Sequence, residues 1–245
     1  MDDSGTKTGD RDRGEEPPDG RLRQSGVSLE PRAVDRATLV REGELKTSRW
    51  PRTTRRRQRI HAVVARRQPT VTVVLEDVHD GHNVSAVLRS CDAIGILDVH
   101  LVYLRDTPPR GSFHHGTSAS AAKWISPHFH ESIEACYASL RESGYWIFTT
   151  ALQEASVDLY RMDLTAPIAL IFGNEMRGAS EEAIALADGC IHIPMQGMVE
   201  SLNISVACAV ALYEVMRQRR EVGMYDSPQL DATTLESLES AWLRR

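Results

Sequence analysis

Apolar, β-prone runs alternate with amphipathic helical runs along most of this 245-residue chain, and that alternation limits the folds it can adopt. The pattern predicts strands at 71–78, 99–104, 145–150, 168–172 and 190–194. It predicts helices at 83–94, 132–143, 180–187 and about 202–220. Uniformly apolar strands separated by helices are typical of parallel sheets that are buried on both sides. We therefore predict an α/β fold with a mostly parallel sheet and helices on both faces.

The two ends of the chain differ from this central pattern. Residues 1–48 contain no aromatic residue and show no helical or strand period, so we predict a disordered extension there. A short basic helix is predicted at about 52–67, and a terminal helix at about 232–244. Residues 49–245 are long enough to bury one core, and we expect them to form a single domain.

The segment between Arg49 and Arg67 is strongly basic in a protein whose formal net charge is -5. It contains no acidic residue and eight arginines, at positions 49, 52, 55, 56, 57, 59, 66 and 67. Such a run is either a solvated helix face or a surface that contacts nucleic-acid phosphates. The acidic protein as a whole does not have the composition of a general nucleic-acid coat protein.

Two nucleotide-binding motifs are absent. The turn after the first predicted strand contains only Gly81, so the G-x-G-x-x-G motif of dinucleotide-binding folds is missing. The segment from Gly173 to Ser180 has the glycine spacing of a P-loop, but Ala179 stands where a P-loop needs lysine. The sequence therefore argues against a nicotinamide enzyme and against a P-loop NTPase.

No metal site is expected from the sequence. The four cysteines form no C-x-x-C pair, and the histidines at 114, 115, 128 and 130 fall in a predicted loop region without a partner at ligand spacing. No run approaches the roughly 18 apolar residues of a membrane span, and the N-terminus is polar. We therefore expect a cytoplasmic protein.

Five polar residues are candidates for a functional site, and four of them lie where predicted elements begin or end. Asn83 starts a predicted helix, and Arg89 falls on the polar face of that helix. Glu175 follows a predicted strand, at the edge where open α/β sheets bind ligands. Ser201 and Asn203 precede an apolar helix whose N-terminus favours an anion. Helix capping, solvation or an ordinary turn would explain each of these residues taken alone.

The order of three segments, 83–89, 172–178 and 193–205, resembles the three motifs of the SPOUT RNA methyltransferases. The likeness to the tRNA (guanosine-18-2′-O)-methyltransferase family runs from about residue 52 to residue 245. The resemblance implies a SPOUT domain over 49–245 with a C-terminal trefoil knot. It also implies methyl transfer from S-adenosylmethionine to the ribose 2′-hydroxyl of guanosine 18 in tRNA. Arg89 would have the central catalytic role, surrounded by Asn83, Glu175, Ser201 and Asn203.

The same resemblance implies binding residues and a partner subunit. The pocket for S-adenosylmethionine would be lined by Thr150, Gly173, Ile193 and Leu202. The tRNA would contact Arg55, Arg56, Arg59, Arg66, Lys123, Arg217 and Arg219. Members of this family are homodimers whose active site draws on both subunits, so we expect a homodimer.

Two other functions stay open at this point. A 2′-O-methyltransferase that acts on ribosomal RNA would share the three motifs, although such relatives often carry a folded N-terminal RNA-binding domain that residues 1–48 cannot form. A non-catalytic RNA-binding protein on the same fold would not need the five polar residues together. The chain departs from the family pattern at 115–122 and at Met176, where lysine is common.

Overall fold

In the computed structural model, the described residues are 54–104 and 121–245. The predicted extension 1–48, Arg49, Arg52 and the histidines at 114 and 115 lie outside these residues. Within them, no helix is long and apolar enough to cross a membrane.

The described residues form one sheet of seven strands. The strands are β1 (Val71–Glu76), β2 (Asp98–Val102), β3 (Ser126–His130), β4 (Trp146–Thr150), β5 (Val157–Asp158), β6 (Ile168–Phe172) and β7 (Gly189–His192). Their order across the sheet is β3-β2-β1-β6-β4-β7-β5, and every pairing is parallel. The predicted parallel α/β sheet is confirmed. Because all strands point the same way, the loops that follow them emerge at one edge.

Six helices accompany the sheet in the described residues. They are α1 (Thr54–Val64), α2 (Gly81–Ile94), α3 (Ile133–Glu142), α4 (Glu181–Leu186), α5 (Ile204–Glu221) and α6 (Ala232–Arg244). Helices α2 and α5 pack on one face of the sheet, against side chains such as Val73 and Leu170. Helices α3 and α4 pack on the other face, against Val74 and Ile171. This confirms helices on both faces.

Local sequence explains where α2 begins and ends. Asp80 is the N-cap, and its carboxylate accepts a hydrogen bond from the backbone N–H of His82 at 2.8 Å. Asn83 is therefore inside the first turn instead of capping the helix, which leaves its amide available for tertiary contacts. Gly95 ends the helix with φ 95°, and a Cβ there would lie 2.7 Å from the carbonyl oxygen of Arg66.

Two strands were missing from the sequence prediction. Strand β3 (SPHFH) lies in a region that the sequence pattern predicts as loop. It is an edge strand, where proline and solvated side chains are tolerated. Strand β5 has only two residues and carries no periodic signal. Both lie at the ends of the strand order, outside the apolar centre of the sheet.

The N-terminal and C-terminal helices pack together away from the main core. Ile60 and Val64 of α1 form a cluster with Leu230 and with Trp242 of α6. The basic helix is shorter than predicted, since it ends at Val64. The terminal helix spans the predicted residues 232–244.

Candidate active site

The carboxyl edge of the sheet brings three distant segments together. Strands β1, β6, β4 and β7 are neighbours in this order, and the chain that follows them carries most of the predicted site residues. Asn83 comes after β1, Glu175 after β6, and Asn203 after β7 at the start of α5. Open α/β sheets bind ligands in this position.

A hydrogen-bond chain joins three of the five predicted catalytic residues. The side-chain amide of Asn83 donates to Glu175 Oε1 at 2.9 Å. Asn203 Nδ2 donates to Asn83 Oδ1 at 3.2 Å. Asn83 is buried, whereas Glu175 and Asn203 are exposed. The buried amide therefore fixes two exposed polar side chains relative to each other.

Asn203 is also the N-cap of α5. Its Oδ1 accepts from the backbone N–H of Ser205 at 2.9 Å and from the Ser205 hydroxyl at 2.6 Å. Helix capping, the simpler explanation for Asn203, is confirmed by these hydrogen bonds. The side chain has an amide nitrogen left over, however, and uses it to bond Asn83. Asn203 thus couples the N-terminus of α5, a helix that is only partly buried, to the hydrogen-bond chain.

A tight turn after β6 positions Glu175. The Asn174 side chain donates to the backbone carbonyl of Asp77 at 2.7 Å and accepts from the N–H groups of Met176 and Arg177. The backbones of Asn174 and Gly178 exchange two hydrogen bonds of 2.9 Å. Asn174 was missing from the predicted site, although an asparagine after a strand and a glycine is a turn signal.

Gly173 is required for packing within the chain. A Cβ on this residue would lie 2.1 Å from the backbone nitrogen of Ala179 and 2.3 Å from the carbonyl carbon of Gly178. No side chain can occupy that space, so the turn closes only with glycine at this position. The same lack of a side chain leaves the backbone of Gly173 partly exposed at the sheet edge.

Arg89 and Ser201 are not part of this hydrogen-bond chain. Arg89 is exposed on α2, and among residues 54–104 and 121–245 its guanidinium has no hydrogen bond or ion pair. Ser201 is exposed in the segment before α5. A cation that is not neutralised by a neighbouring carboxylate is available to an incoming anion.

The four predicted cofactor residues come from adjacent strand ends. Thr150 ends β4 and its hydroxyl donates to the carbonyl of Ile171 at 2.8 Å. Ile193 follows β7, Leu202 precedes α5, and Gly173 follows β6. All four are partly buried, and their strands lie side by side. Thr150, Gly173 and Ile193 therefore lie at the ends of neighbouring strands on the carboxyl edge, and Leu202 lies just before α5.

A cavity of about 580 Å³ opens beside the Asn174 turn, towards α4. The charged residues of its lining are mainly acidic: Glu76, Asp77, Glu181 and Glu182 are opposed by Arg177. Such a lining repels phosphate groups. Contacts to a phosphate backbone must therefore come from another surface.

Most predicted RNA contacts lie on exposed basic side chains. Arg55, Arg59 and Arg66 are exposed in or just after α1, Arg56 is half-buried, and Lys123 is exposed before β3. Arg217 on α5 is half-exposed and pairs with Glu214 and Glu221. The hydrogen bond to the Glu214 carboxylate raises the pKa of Arg217 above its usual value.

Arg219 is the exception, and its prediction as an RNA contact is wrong. The residue is fully buried. Its guanidinium donates to the carbonyls of Leu164 at 3.0 Å and Ala166 at 2.7 Å, and to the hydroxyl of Thr70 at 2.8 Å. Burial lowers the pKa of Arg219 to about 10. A charge that already bonds carbonyls inside the core cannot reach a phosphate.

Arg67, at the end of the basic segment, is also buried. It pairs with Asp92 at 2.6 Å and donates to the carbonyl of Ile96 at 2.9 Å. Its guanidinium carbon lies 4.7 Å from the ring centroid of Trp242. The basic segment therefore contributes both surface charge and one buried arginine.

Comparison with known proteins identifies the family. Residues 70–213 match the SpoU rRNA Methylase family, and the chain belongs to that family. The tRNA (guanosine(18)-2′-O)-methyltransferase of Thermus thermophilus is 47% identical over 194 residues, which cover 79% of this chain and 98% of that protein. The resemblance found in the sequence is confirmed.

Solved structures agree with this assignment. The TrmH/SpoU tRNA modifying enzyme of A. aeolicus superposes with a TM-score of 0.71 at 33% identity, over 78% of this chain and 95% of that one. An AdoMet-bound rRNA methyltransferase from Sinorhizobium meliloti superposes with a TM-score of 0.54 at 26% identity, over 64% of this chain and 62% of that one.

Proposed function

We propose that this protein transfers a methyl group from S-adenosylmethionine to the ribose 2′-hydroxyl of guanosine 18 in tRNA. The observation that carries the proposal is the 47% identity to the Thermus tRNA (guanosine(18)-2′-O)-methyltransferase over 98% of that enzyme's length. The hydrogen-bonded set of Glu175, Asn83 and Asn203 at the sheet edge supports an enzyme over a non-catalytic RNA-binding protein.

The residues at the carboxyl edge fit the cofactor. Thr150, Gly173, Ile193 and Leu202 are all partly exposed, and the first three lie at the ends of neighbouring strands. We assign these four residues to S-adenosylmethionine. When bound, the cofactor would supply a methyl group attached to a positively charged sulfur. Because that sulfur leaves as a neutral thioether, the proposed transfer needs no metal.

Arg89 is the residue that we assign to the acceptor hydroxyl. A guanidinium stays protonated in proteins, so it acts by orienting the 2′-hydroxyl and its neighbouring phosphate and by stabilising charge that develops on the oxygen. The guanidinium is exposed and has no partner within the described ranges 54–104 and 121–245, so it is available for this role. We assign to Asn83 the task of holding Glu175 and Asn203 in position, and to Ser201 a place beside them.

A homodimer is the second part of the proposal. Large apolar side chains are exposed at Met198 and Val199 before α5 and at Val206 and Tyr213 on α5. Val206 and Tyr213 are seven positions apart and so share one face of the helix, and exposed apolar side chains gathered on one face mark interaction sites. We propose that a second copy of the chain covers this surface and adds residues to the active site.

The trefoil knot implied by the resemblance stays a prediction, as does a cytoplasmic location.

We propose that the exposed basic side chains on and near α1, with Lys123, bind tRNA phosphates. Each phosphate contact contributes to the salt dependence of binding. A variant with Arg55, Arg59 and Arg66 all changed to alanine should make the slope of log affinity against log salt less negative by up to about three. Arg161→Ala, which changes another exposed arginine, is the control. An unchanged slope in the triple variant would remove this surface from the RNA interface.

The proposed reaction is tested with three RNAs. Labelled methyl transfer is measured with an unmodified tRNA transcript, with the same transcript carrying another base at position 18, and with a ribosomal RNA fragment. Label in the first RNA alone supports the proposal. Label confined to the ribosomal fragment would retain the chemistry and establish the rival ribosomal substrate instead.

A further inference from the structure

A cluster of metal-ligating side chains lies outside the active site. His100 on β2, His130 on β3 and Cys136 on α3 bring their ligand atoms within 4.8 Å of one another. His100 is 6% exposed and Cys136 is fully buried. The proposed methyl transfer uses none of these three residues.

The parallel pairing of β2 and β3 creates this arrangement. His100 is paired with His128 and Val102 with His130, so the imidazoles of β3 lie alongside His100 on one face of the sheet. The ring of His100 stacks at 5.0 Å on His128 and at 5.1 Å on His130. His100 Nδ1 lies 2.8 Å from His130 Nε2, whereas His128 pairs with Asp98 at 2.7 Å.

The protonation states suit a metal ligand set. Burial and the two neighbouring imidazoles lower the pKa of His100 to about 3, and burial also lowers the pKa of His130. Both shifts favour the neutral imidazole, which keeps a free electron pair on one nitrogen. Burial raises the pKa of the Cys136 thiol to about 12, so the thiol keeps its proton when no metal is bound. On binding, a metal would displace this proton to solvent.

We propose that His100, His130 and Cys136 bind one Zn²⁺ ion, with the fourth coordination position open to water. Two nitrogens and one thiolate are a donor set that zinc accepts. Two nitrogens bound to a tetrahedral zinc are about 3.3 Å apart, since each Zn–N bond is about 2.0–2.1 Å. The contact of 2.8 Å between the histidines would open by a few tenths of an ångström. The ion ties the exposed edge strand β3 to α3.

Residue spacing along the chain argues against a metal site here, and the folded chain shows why. Its histidines lie on two strands that are 30 residues apart, and β3 was predicted as loop. Two of the ligands become neighbours only once β3 pairs with β2, and the third comes from the next helix.

Cobalt(II) tests the site directly, because a thiolate on tetrahedral Co²⁺ gives a charge-transfer band and strong visible bands. Tag-free, metal-stripped full-length protein is titrated with Co²⁺ and then with Zn²⁺. We expect one equivalent of Co²⁺ with a thiolate band, displaced by Zn²⁺, and loss of that band in Cys136→Ala. Zinc affinity should fall at least about 100-fold in that variant, since even the loss of outer-shell partners costs 10–100-fold.

Controls separate the cluster from its surroundings. Cys190→Ala removes a partly exposed thiol elsewhere, and His128→Gln removes the neighbouring imidazole; both should keep the thiolate band. His130→Gln provides a second loss of a ligand if Cys136→Ala folds poorly. Absence of a thiolate band in the unchanged protein, or its persistence in Cys136→Ala, would overturn the proposal. Removal of Zn²⁺ with a chelator should lower the melting temperature of the protein. At temperatures where the metal-free protein stays folded, the rate of methyl transfer should be unchanged.

Discussion

The Asn83 side chain donates a hydrogen bond of 2.9 Å to the carboxylate of Glu175, 92 positions further along the chain. The two residues follow neighbouring parallel strands, β1 and β6, so the topology of the sheet creates their contact. Asn83 is buried and at the same time accepts a hydrogen bond from Asn203. An amide that bonds on both sides holds Glu175 and Asn203 at fixed positions relative to each other.

This contact predicts different effects for two substitutions of Glu175. Glu175→Gln keeps an acceptor for Asn83, whereas Glu175→Ala removes it. We expect Glu175→Gln to retain most of kcat and Glu175→Ala to lower kcat by about 10- to 100-fold, the size of effect that small misplacements cause. Steady-state methyl transfer with tRNA measures both, with Glu181→Gln as a nearby control. Equal losses in the two Glu175 variants would mean that the charge, not the hydrogen bond, is needed.

Arg89→Ala should abolish methyl transfer and leave binding of S-adenosylmethionine nearly intact. The guanidinium is exposed on α2 and has no partner in the described residues, so its removal breaks no internal contact. We expect kcat to fall at least about 100- to 1,000-fold, as when an oxyanion donor is removed. Calorimetry measures the cofactor affinity of the variant beside Arg161→Ala. Loss of cofactor binding in Arg89→Ala would show that the residue belongs to the cofactor pocket instead.

Gly173→Ala should destabilise the protein and reduce its activity. The added Cβ would lie 2.1 Å from the backbone nitrogen of Ala179, so the turn that carries Glu175 must shift. Overpacking of this kind costs about 1–3 kcal/mol. Gly197→Ala is the matched control, because a Cβ there meets nothing within 4 Å, and its cost should stay within about 0.5 kcal/mol. Chemical denaturation measures both, and similar stabilities would contradict the close packing at Gly173.

Alanine substitution of the two arginines on α5 should affect stability to very different extents. Arg219→Ala leaves buried carbonyls without a donor and should cost about 3 kcal/mol or more, a fall in melting temperature of roughly 6–12 °C. Arg217→Ala removes a half-exposed side chain and should cost less than about 1 kcal/mol.

Binding measurements complete this comparison. Arg217→Ala should lower the salt slope of tRNA binding by about one, whereas folded Arg219→Ala should bind tRNA with an unchanged slope. A reduced slope in Arg219→Ala at temperatures where it is folded would contradict the buried position.

The order of central strands and helices could be predicted because burial dictates their sequence. All six residues of β1 are buried and most are β-branched, so the strand is visible without tertiary information. Strand β3 could not be predicted in this way, since one face of an edge strand is solvated and its residues are polar. Hydrophobic patterns reveal buried strands and helices, whereas a solvated edge strand has no such pattern.

Charge in the sequence was a weaker guide than apolar periodicity. Arg217 and Arg219 are two positions apart in one helix, and only the fold decides which one faces solvent. The partners that bury Arg219, at 70, 164 and 166, come from distant segments. The site residues were found through the family resemblance, whereas the hydrogen bonds among Glu175, Asn83 and Asn203 required the folded chain.

The acceptor atom is the central claim, and the most direct measurement replaces that atom alone. Two tRNAs are compared that differ only at position 18, one with guanosine and one with 2′-deoxyguanosine, and both are incubated with the protein and labelled S-adenosylmethionine. We predict one methyl group per guanosine-18 tRNA, mapped by resistance to alkaline cleavage after position 18, and no label in the deoxy substrate. Equal labelling of the two tRNAs would contradict methylation of this 2′-oxygen.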